Sequence, residues 1–460
     1  MNDTVTKPLL EKVMALRWQD GPSDVRILIK QCVLDWLGVS IIAAAEPAAR
    51  ILREELQEQG SHPQVRVFGS TQRMSTQHAA LLNGTIAHML DYDDVNFAIP
   101  GHATTPVLPA VLALAEHRRA SGSALMNAFL TGYETACRVG RLVAPGHYNR
   151  GFHATGTVGC FGAAAACARL LGLDRGAAAR ALGIAATRTA GLKAMFGTSC
   201  KPLHAGAAAA NGLFAATLAQ RGFDSREDAL ECAQGFAATH SPDFNVAAAL
   251  RDPEEGYHLF NNLFKFHAAC YELQATLECA HRLRETPGFS LDDVRVVRVR
   301  ANDHCDDICN IAKPKTGMET KFSLRAATAF ALAGLETSRP DAFSDANANS
   351  PRLNAIRDKV VVELTGDLAL TECGISVEAG NGQMLHARHD AGFPMKDRAA
   401  QGRRVTDKFH ALVAPVLGRE RSEAIATEVS RLEEMSDVGD LMRLCVEHPP
   451  PLAARAATAP

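Results

Sequence analysis

The stretch GCFGAAAACARLLGLDRGAAARALGIAATRTAG, followed at once by GTSCKPLHAGAAAANG, narrows the possible folds more than any other part of this chain. Alanine alone would need no explanation, because it has the highest helix propensity. Recurring glycine does, since each one inside a helix costs about 0.5–1 kcal/mol relative to alanine. Small side chains at regular intervals let helix axes approach one another closely, so the pattern predicts a tight bundle with little room for loops. A turn at Gly172–Asp174 divides the first stretch into two helices.

Other segments fit the same bundle. VRILIKQCVLDWLGVSIIAAA places Ile27, Leu28, Cys32, Leu34, Leu37 and Ile41 near a 3.6-residue period, as a core-facing helix requires. STQHAALLNGTIAHML predicts another helix, capped by Ser75 or Thr76, and SALMNAFLTGYETACRVGRLV a third. The character then changes. VRVVRVRAN and DKVVVELTGDLALTECGISVEAGNGQMLHARH carry β-branched runs and a Gly380-Asn381-Gly382 hairpin signal, with the helical KFSLRAATAFALAGLE between them. Helical patterning returns near Thr406. The expected fold is therefore mainly α: a large all-helical domain (1–266 plus 405–460) with an inserted smaller α+β domain (267–404). The tail LAARAATAP is expected to be disordered.

Composition excludes several function classes. A net charge of −3 gives no basis for nucleic-acid or acidic-membrane binding, and 47% hydrophobic with 22% charged residues is ordinary for a globular chain. No apolar run is long enough to span a bilayer, and the first twenty residues lack the features of a signal peptide. The 12 cysteines show no CxxC or finger spacing, so they read as buried reduced thiols. A cytoplasmic enzyme is expected.

Chemistry concentrates in NGTIAHMLDYDDVNFAIPGHATTPVLPAVLALAE, which packs His88, Asp91, Asp93, Asp94 and His102 just ahead of a helix. Thr105 is the expected N-cap and Pro106 the first helical residue. Acid/base groups beside an anion-favouring helix end point to chemistry on a small carboxylate. The plainer reading is a hydrogen-bonded turn between two helices.

NGTIAHMLDYDD followed by GHATTPVLPAVLALAE resembles the family of 2-methylcitrate dehydratase, cis-aconitate decarboxylase and iminodisuccinate epimerase (MmgE/PrpD), with further matches in order from about Leu10 to about Leu417. The resemblance implies the two-domain fold, a homodimer, a small carboxylate substrate, and no metal or other cofactor. Four later clusters match: GFHATGTVGCFGAAAA with His153; GTSCKPLHAG with Lys201 and His204; LFKFHAACYELQ with Lys265, His267, Cys270 and Tyr271; and KPKTGMETKFSLR with Lys313 and Lys321.

Dehydration, decarboxylation and epimerisation of such acids all develop charge beside a carboxylate. Cations and helix ends must hold the substrate, and a tuned histidine or carboxylate must move a proton. Asp91 and His102 are the expected proton-transfer pair, with His153 and Lys201 as carboxylate binders or the opposite-face acid/base. Lys265, His204, Cys270 and Tyr271 complete the expected substrate-binding set. A structural hydrogen-bonded role would equally explain His204 and His267, and Asp93 and Asp94 are read as orienting or capping groups. Two rivals are a divalent-metal site on His88, Asp91, Asp94 and His102, and a non-catalytic helical scaffold or ligand carrier. The loop departs from the dehydratase pattern at Val95, Asn96, Phe97 and Ala103, which removes a threonine hydroxyl. The expected activity is thus a lyase, a dehydratase or decarboxylase, acting on a small di- or tricarboxylate, with epimerisation of an aspartate-derived dicarboxylate as the alternative.

Overall fold

The computed structural model describes residues 4–446, so the C-terminal tail lies outside the described residues. The fold is mainly helical with small sheets. Close approaches between Cα atoms divide the chain into two compact units, one of residues 1–89, 93–262 and 398–460, the other of 90–92 and 263–397.

In the larger unit, the helices Thr76–His88, Ala154–Leu170 and Cys200–Gln220 cross at points where glycine replaces any side chain. A Cβ on Gly206 would lie 2.1 Å from the Leu81 carbonyl and 2.2 Å from Thr85 Oγ1, and one on Gly84 would lie 2.9 Å from Gly206 Cα. Likewise a Cβ on Gly212 would come within 2.5 Å of Ala163. The sequence pattern of small residues is therefore a packing requirement, because interiors at this density have no space for an added methyl. Ala154–Leu170 is buried along nearly its whole length. The Gly172–Asp174 turn forms as expected: Gly172 adopts φ 66°, and Asp174 caps the next helix by accepting from Ala177 N at 2.7 Å.

The cap of Thr76–His88 is Ser75, whose hydroxyl accepts from His78 N. The helix Ser23–Ala43 packs against Arg398–Leu417, where Lys408 Nζ lies 2.7 Å from Asp35 Oδ1 with both side chains buried. Arg398–Leu417 begins well before the expected Thr406. No proline lies between Arg398 and Thr406 to stop the helix from starting early, and a Cβ on Gly402 would lie 2.9 Å from Gln31 Nε2. The larger unit is also not wholly helical: Val65–Arg66 and Arg73–Met74 form a short antiparallel ladder. Its buried Val65 and Met74 bring the ladder onto the core.

In the smaller unit, four strands lie in the order Val360–Thr365, Val294–Asn302, Glu372–Ala379, Met384–Asp390. The first pair is parallel and the others antiparallel. Val297, Val299, Cys373, Ile375 and Val377 alternate inward, while Arg298, Arg300 and Gly374 fall on the other face. The helices Gln274–Glu285 and Leu324–Leu332 cover the sheet. The expected hairpin closes at Gly380–Gly382, with Gly382 at φ 82°. Among the described residues no single helix is long and apolar enough to cross a membrane.

Candidate active site

The helix after the acidic stretch starts at Thr104, one residue before the expected cap, and Ala103 at its N-cap makes no side-chain bond. The threonine hydroxyls of its first turn turn outward instead. Thr104 Oγ1 donates to Asp94 Oδ2 at 2.6 Å, and Thr105 Oγ1 donates to Asp93 Oδ2 at 2.5 Å. The anion that this helix end favours is thus supplied by the chain itself.

Asp93 holds two imidazoles. His88 Nδ1 lies 2.9 Å from Asp93 Oδ1, and His102 Nδ1 lies 2.9 Å from Asp93 Oδ2. His102 Nδ1 also lies 2.8 Å from the Asp94 carbonyl, which can only accept. Nδ1 must therefore carry the proton, and in neutral His102 the lone pair sits on Nε2. The same holds for His88 against an ionised Asp93. Burial alone would raise Asp93, yet the two rings and their hydrogen bonds hold its carboxyl well below the ordinary range. Burial lowers His88 to about 4 against the pull of Asp93, so this ring is neutral near pH 7. Burial also raises Asp94 to about 7, helped by the Asp35 charge. The ring centroids of His88 and His102 are 4.4 Å apart, and His102 N donates to Thr155 Oγ1 at 3.1 Å.

His153 stands just ahead of Ala154–Leu170 and stacks on His88 with centroids 5.9 Å apart. Its Nδ1 is 3.1 Å from Nδ1 of His204, and Phe196 meets it edge-on at 5.0 Å. Lys201 Nζ lies 5.2 Å from the centre of the Phe196 ring. Burial drives His153 well below the usual histidine range, with the charges of His88, Lys201, His102 and His204 acting the same way. One region of the larger unit therefore gathers His88, His102, His153, His204, Lys201 and Asp93. Both rings spend Nδ1 on Asp93, so Nε2 is the atom that either would offer to a cation or to a substrate proton.

The other expected residues belong to the smaller unit. Lys265 is 1% exposed, and its Nζ donates to the Asp91 carbonyl at 2.6 Å and to Asp91 Oδ1 at 3.1 Å. Asp91 has φ 51°, a left-handed conformation that a short polar side chain tolerates best. The Cys270 thiol donates to Glu272 Oε2 at 2.6 Å, and burial with that carboxylate pushes it well up, which leaves it poorly nucleophilic. Tyr271 donates to the Ala391 carbonyl at 2.5 Å, and burial raises its hydroxyl too. His267 is bonded through Nδ1 to Thr337 Oγ1 and through Nε2 to Glu278. Lys321 is buried and Lys313 exposed. Sequence reasoning missed Thr104 and Thr105 as carboxylate partners and undervalued Asp93 as the shared anchor. The signal was a pair of threonines after His102 where one would have sufficed as a cap.

Residues 7–249 match the MmgE/PrpD N-terminal domain and residues 267–434 the MmgE/PrpD C-terminal domain. The chain is 27% identical to a cis-aconitate decarboxylase-like protein, oryM, of Aspergillus oryzae, over 96% of this chain and 97% of that protein. It is 26% identical to the cis-aconitate decarboxylase of Mus musculus, over 90% of this chain and 88% of that one. The human cis-aconitate decarboxylase is also 26% identical, with 92% and 91% covered. Both domain models match in order along a chain whose histidines and lysine gather as described, so the protein belongs to the MmgE/PrpD family and is an enzyme of that type.

Proposed function

We propose that this enzyme is a metal-independent lyase, a dehydratase or decarboxylase, that removes a proton next to a carboxylate of a small di- or tricarboxylate. The observation that carries this reading is the single buried carboxylate, Asp93, that fixes the Nδ1 protons of both His88 and His102. An imidazole so held presents Nε2 as a base, and its conjugate acid is stabilised by the carboxylate behind it. In a dehydration His102 takes the substrate proton as hydroxide leaves; in a decarboxylation CO₂ leaves and a protonated histidine returns a proton to carbon. Lys201 supplies positive charge for a substrate carboxylate, and its charge reaches both His88 and His153. His153 serves as the acid/base on the other side of the substrate. Asp91 remains a proposed participant, and Asp93 joins as the group that orients the rings. Asp93 already accepts from His88, His102 and Thr105.

The names of the relatives favour decarboxylation within the lyase class. The smaller unit is read as a domain inserted into the helical one, and the working form as a cytoplasmic homodimer without nucleic-acid or membrane partners. The test is a panel of citrate-like, aconitate-like and aspartate-derived acids followed by NMR in heavy water, with and without prolonged chelation. Release of CO₂ or water, unchanged by chelator, supports the proposal. Deuterium uptake with inversion and no smaller product identifies an epimerase instead. Activity lost on chelation and restored by one metal overturns metal independence.

A further inference from the structure

His102 and His88 have fixed tautomers because Asp93 accepts from both. His153 has no such anchor. Its Nδ1 faces another imidazole nitrogen, Nδ1 of His204, at 3.1 Å. Two neutral imidazoles can share that contact only if one carries its proton on Nδ1 and the other on Nε2. The two rings therefore hold opposite tautomers, and a proton moving across the contact exchanges them. The surroundings disfavour charge on either ring. His153 is buried, and the charges of His88, Lys201 and His102 all disfavour a proton on it. His204 lies on the helix Cys200–Gln220, three residues after Lys201, and is half-buried, so it reaches solvent where His153 does not. Lys193, in the connecting segment, is turned onto the Tyr148 ring, 3.7 Å from its centre. The contact is also held from behind: a Cβ on Gly156 would lie 2.9 Å from His204 Cβ, and one on Gly191 would lie 3.4 Å from both rings' side chains.

We infer that His204 is a positioning and relay residue that sets the tautomer of His153 and connects it to solvent, so that His153 alternates between base and acid without becoming charged. This rests on the acid/base role proposed for His153. The proton count closes. In the base form His153 carries its proton on Nδ1 and His204 carries one on Nε2. His153 Nε2 accepts a proton from the substrate, its Nδ1 proton passes to His204 Nδ1, and the His204 Nε2 proton leaves to water. Both rings end neutral, and His153 now bears an Nε2 proton that it can donate. Running the steps backwards resets the pair. Run backwards, the pair delivers a proton from His153 to a departing hydroxide, or to the carbon that has lost CO₂, on the face opposite His102.

The inference is tested in two parts. The first needs no substrate. In the ¹⁵N-histidine-labelled full-length enzyme, long-range ¹H–¹⁵N spectra assigned with single substitutions should show His153 and His204 in complementary tautomers. Two Nε2–H tautomers would overturn the inference, whatever the reaction proves to be. The second part uses His204→Ala and His204→Asn on whichever acid of the panel is turned over. Both should lower kcat by about 10–100-fold with KM changed by no more than about threefold. Asparagine can hold the contact but cannot pass a proton, so it should not restore the rate. Added imidazole buffer should raise kcat of His204→Ala, and the limb of the kcat–pH profile attributed to His153 should shift in both variants. Retention of wild-type kcat, profile and buffer independence in a folded variant would overturn the relay. If His204→Ala fails to fold, His204→Asn and the spectra decide. Complementary tautomers with no turnover of any panel acid would sink the proposed reaction while leaving the pairing intact.

Discussion

Thr105 Oγ1 donates to Asp93 Oδ2, the same oxygen that lies 2.9 Å from His102 Nδ1. A threonine at the start of a helix ordinarily caps its own backbone. Here it holds a carboxylate twelve residues earlier in the chain in register with His102. Thr105→Val keeps the shape and removes the donor. It should lower kcat by roughly 10-fold, with little change in fold, since one hydrogen bond to a charged acceptor is worth about 1.5–3 kcal/mol. Steady-state kinetics and circular dichroism on the same preparation check it.

Asp93→Asn is the sharper variant. An amide presents a donor where both imidazoles now donate, so at least one ring must change tautomer. We expect kcat to fall by about 10²–10⁴-fold, equal to or beyond the loss in His102→Ala. Lys201→Ala should show the other balance, raising KM more than it lowers kcat. A folded Asp93→Asn enzyme with wild-type kcat would refute the orienting role.

Asp94 gives a pH signature. Its carboxyl ionises near 3.8 in an unfolded chain and is raised to about 7 in the fold, by burial first and then by Asp35. Between those values the folded state binds the extra proton, so this residue makes wild-type stability fall as pH rises. Asn at this position cannot ionise. The stability of Asp94→Asn relative to wild type should therefore be near constant below about pH 4 and should grow in its favour towards pH 7, with roughly 4 kcal/mol as the ceiling. Denaturant titrations at several pH values measure the difference directly.

How much of this could be read beforehand differs by element. The Gly172–Asp174 turn, the Ser75 cap and the Gly380–Gly382 hairpin were legible because each depends on a local conformation that only a few residue types adopt. The start of the helix at Thr104 was not. Its hydroxyls had two possible partners, and the one that won was a carboxylate ten or twelve residues away, which no local rule supplies. The His153–His204 contact spans 51 residues and depends on how two helices pack. The role of Asp93 was masked by its neighbours, since three carboxylates within four positions look alike until their donors are known.

The cysteines offer a chemical check. Cys200 is exposed, whereas Cys270 is buried and its thiol donates to Glu272. Iodoacetamide applied to the native enzyme should label Cys200 ahead of Cys270, read by peptide mass spectrometry. Cys270→Ala should keep kcat within a few-fold. A loss of 10²-fold or more would restore a chemical role for this thiol.

The close crossing of Thr76–His88 with Cys200–Gln220 bears on how variants of this enzyme are interpreted. The first helix carries His88 and the second carries Lys201 and His204, while Gly84 and Gly206 touch where the two meet. Gly206→Ala should destabilise the fold by about 1–3 kcal/mol or more, against little effect for Gly374→Ala, where no atom lies within 4 Å. What survives that change would have its histidines and lysine spread apart, and so would turn over slowly without having lost any group that touches the substrate. In a saturation screen scored on turnover alone, these two glycines would be mistaken for members of the reacting set. They are the spacers that gauge it.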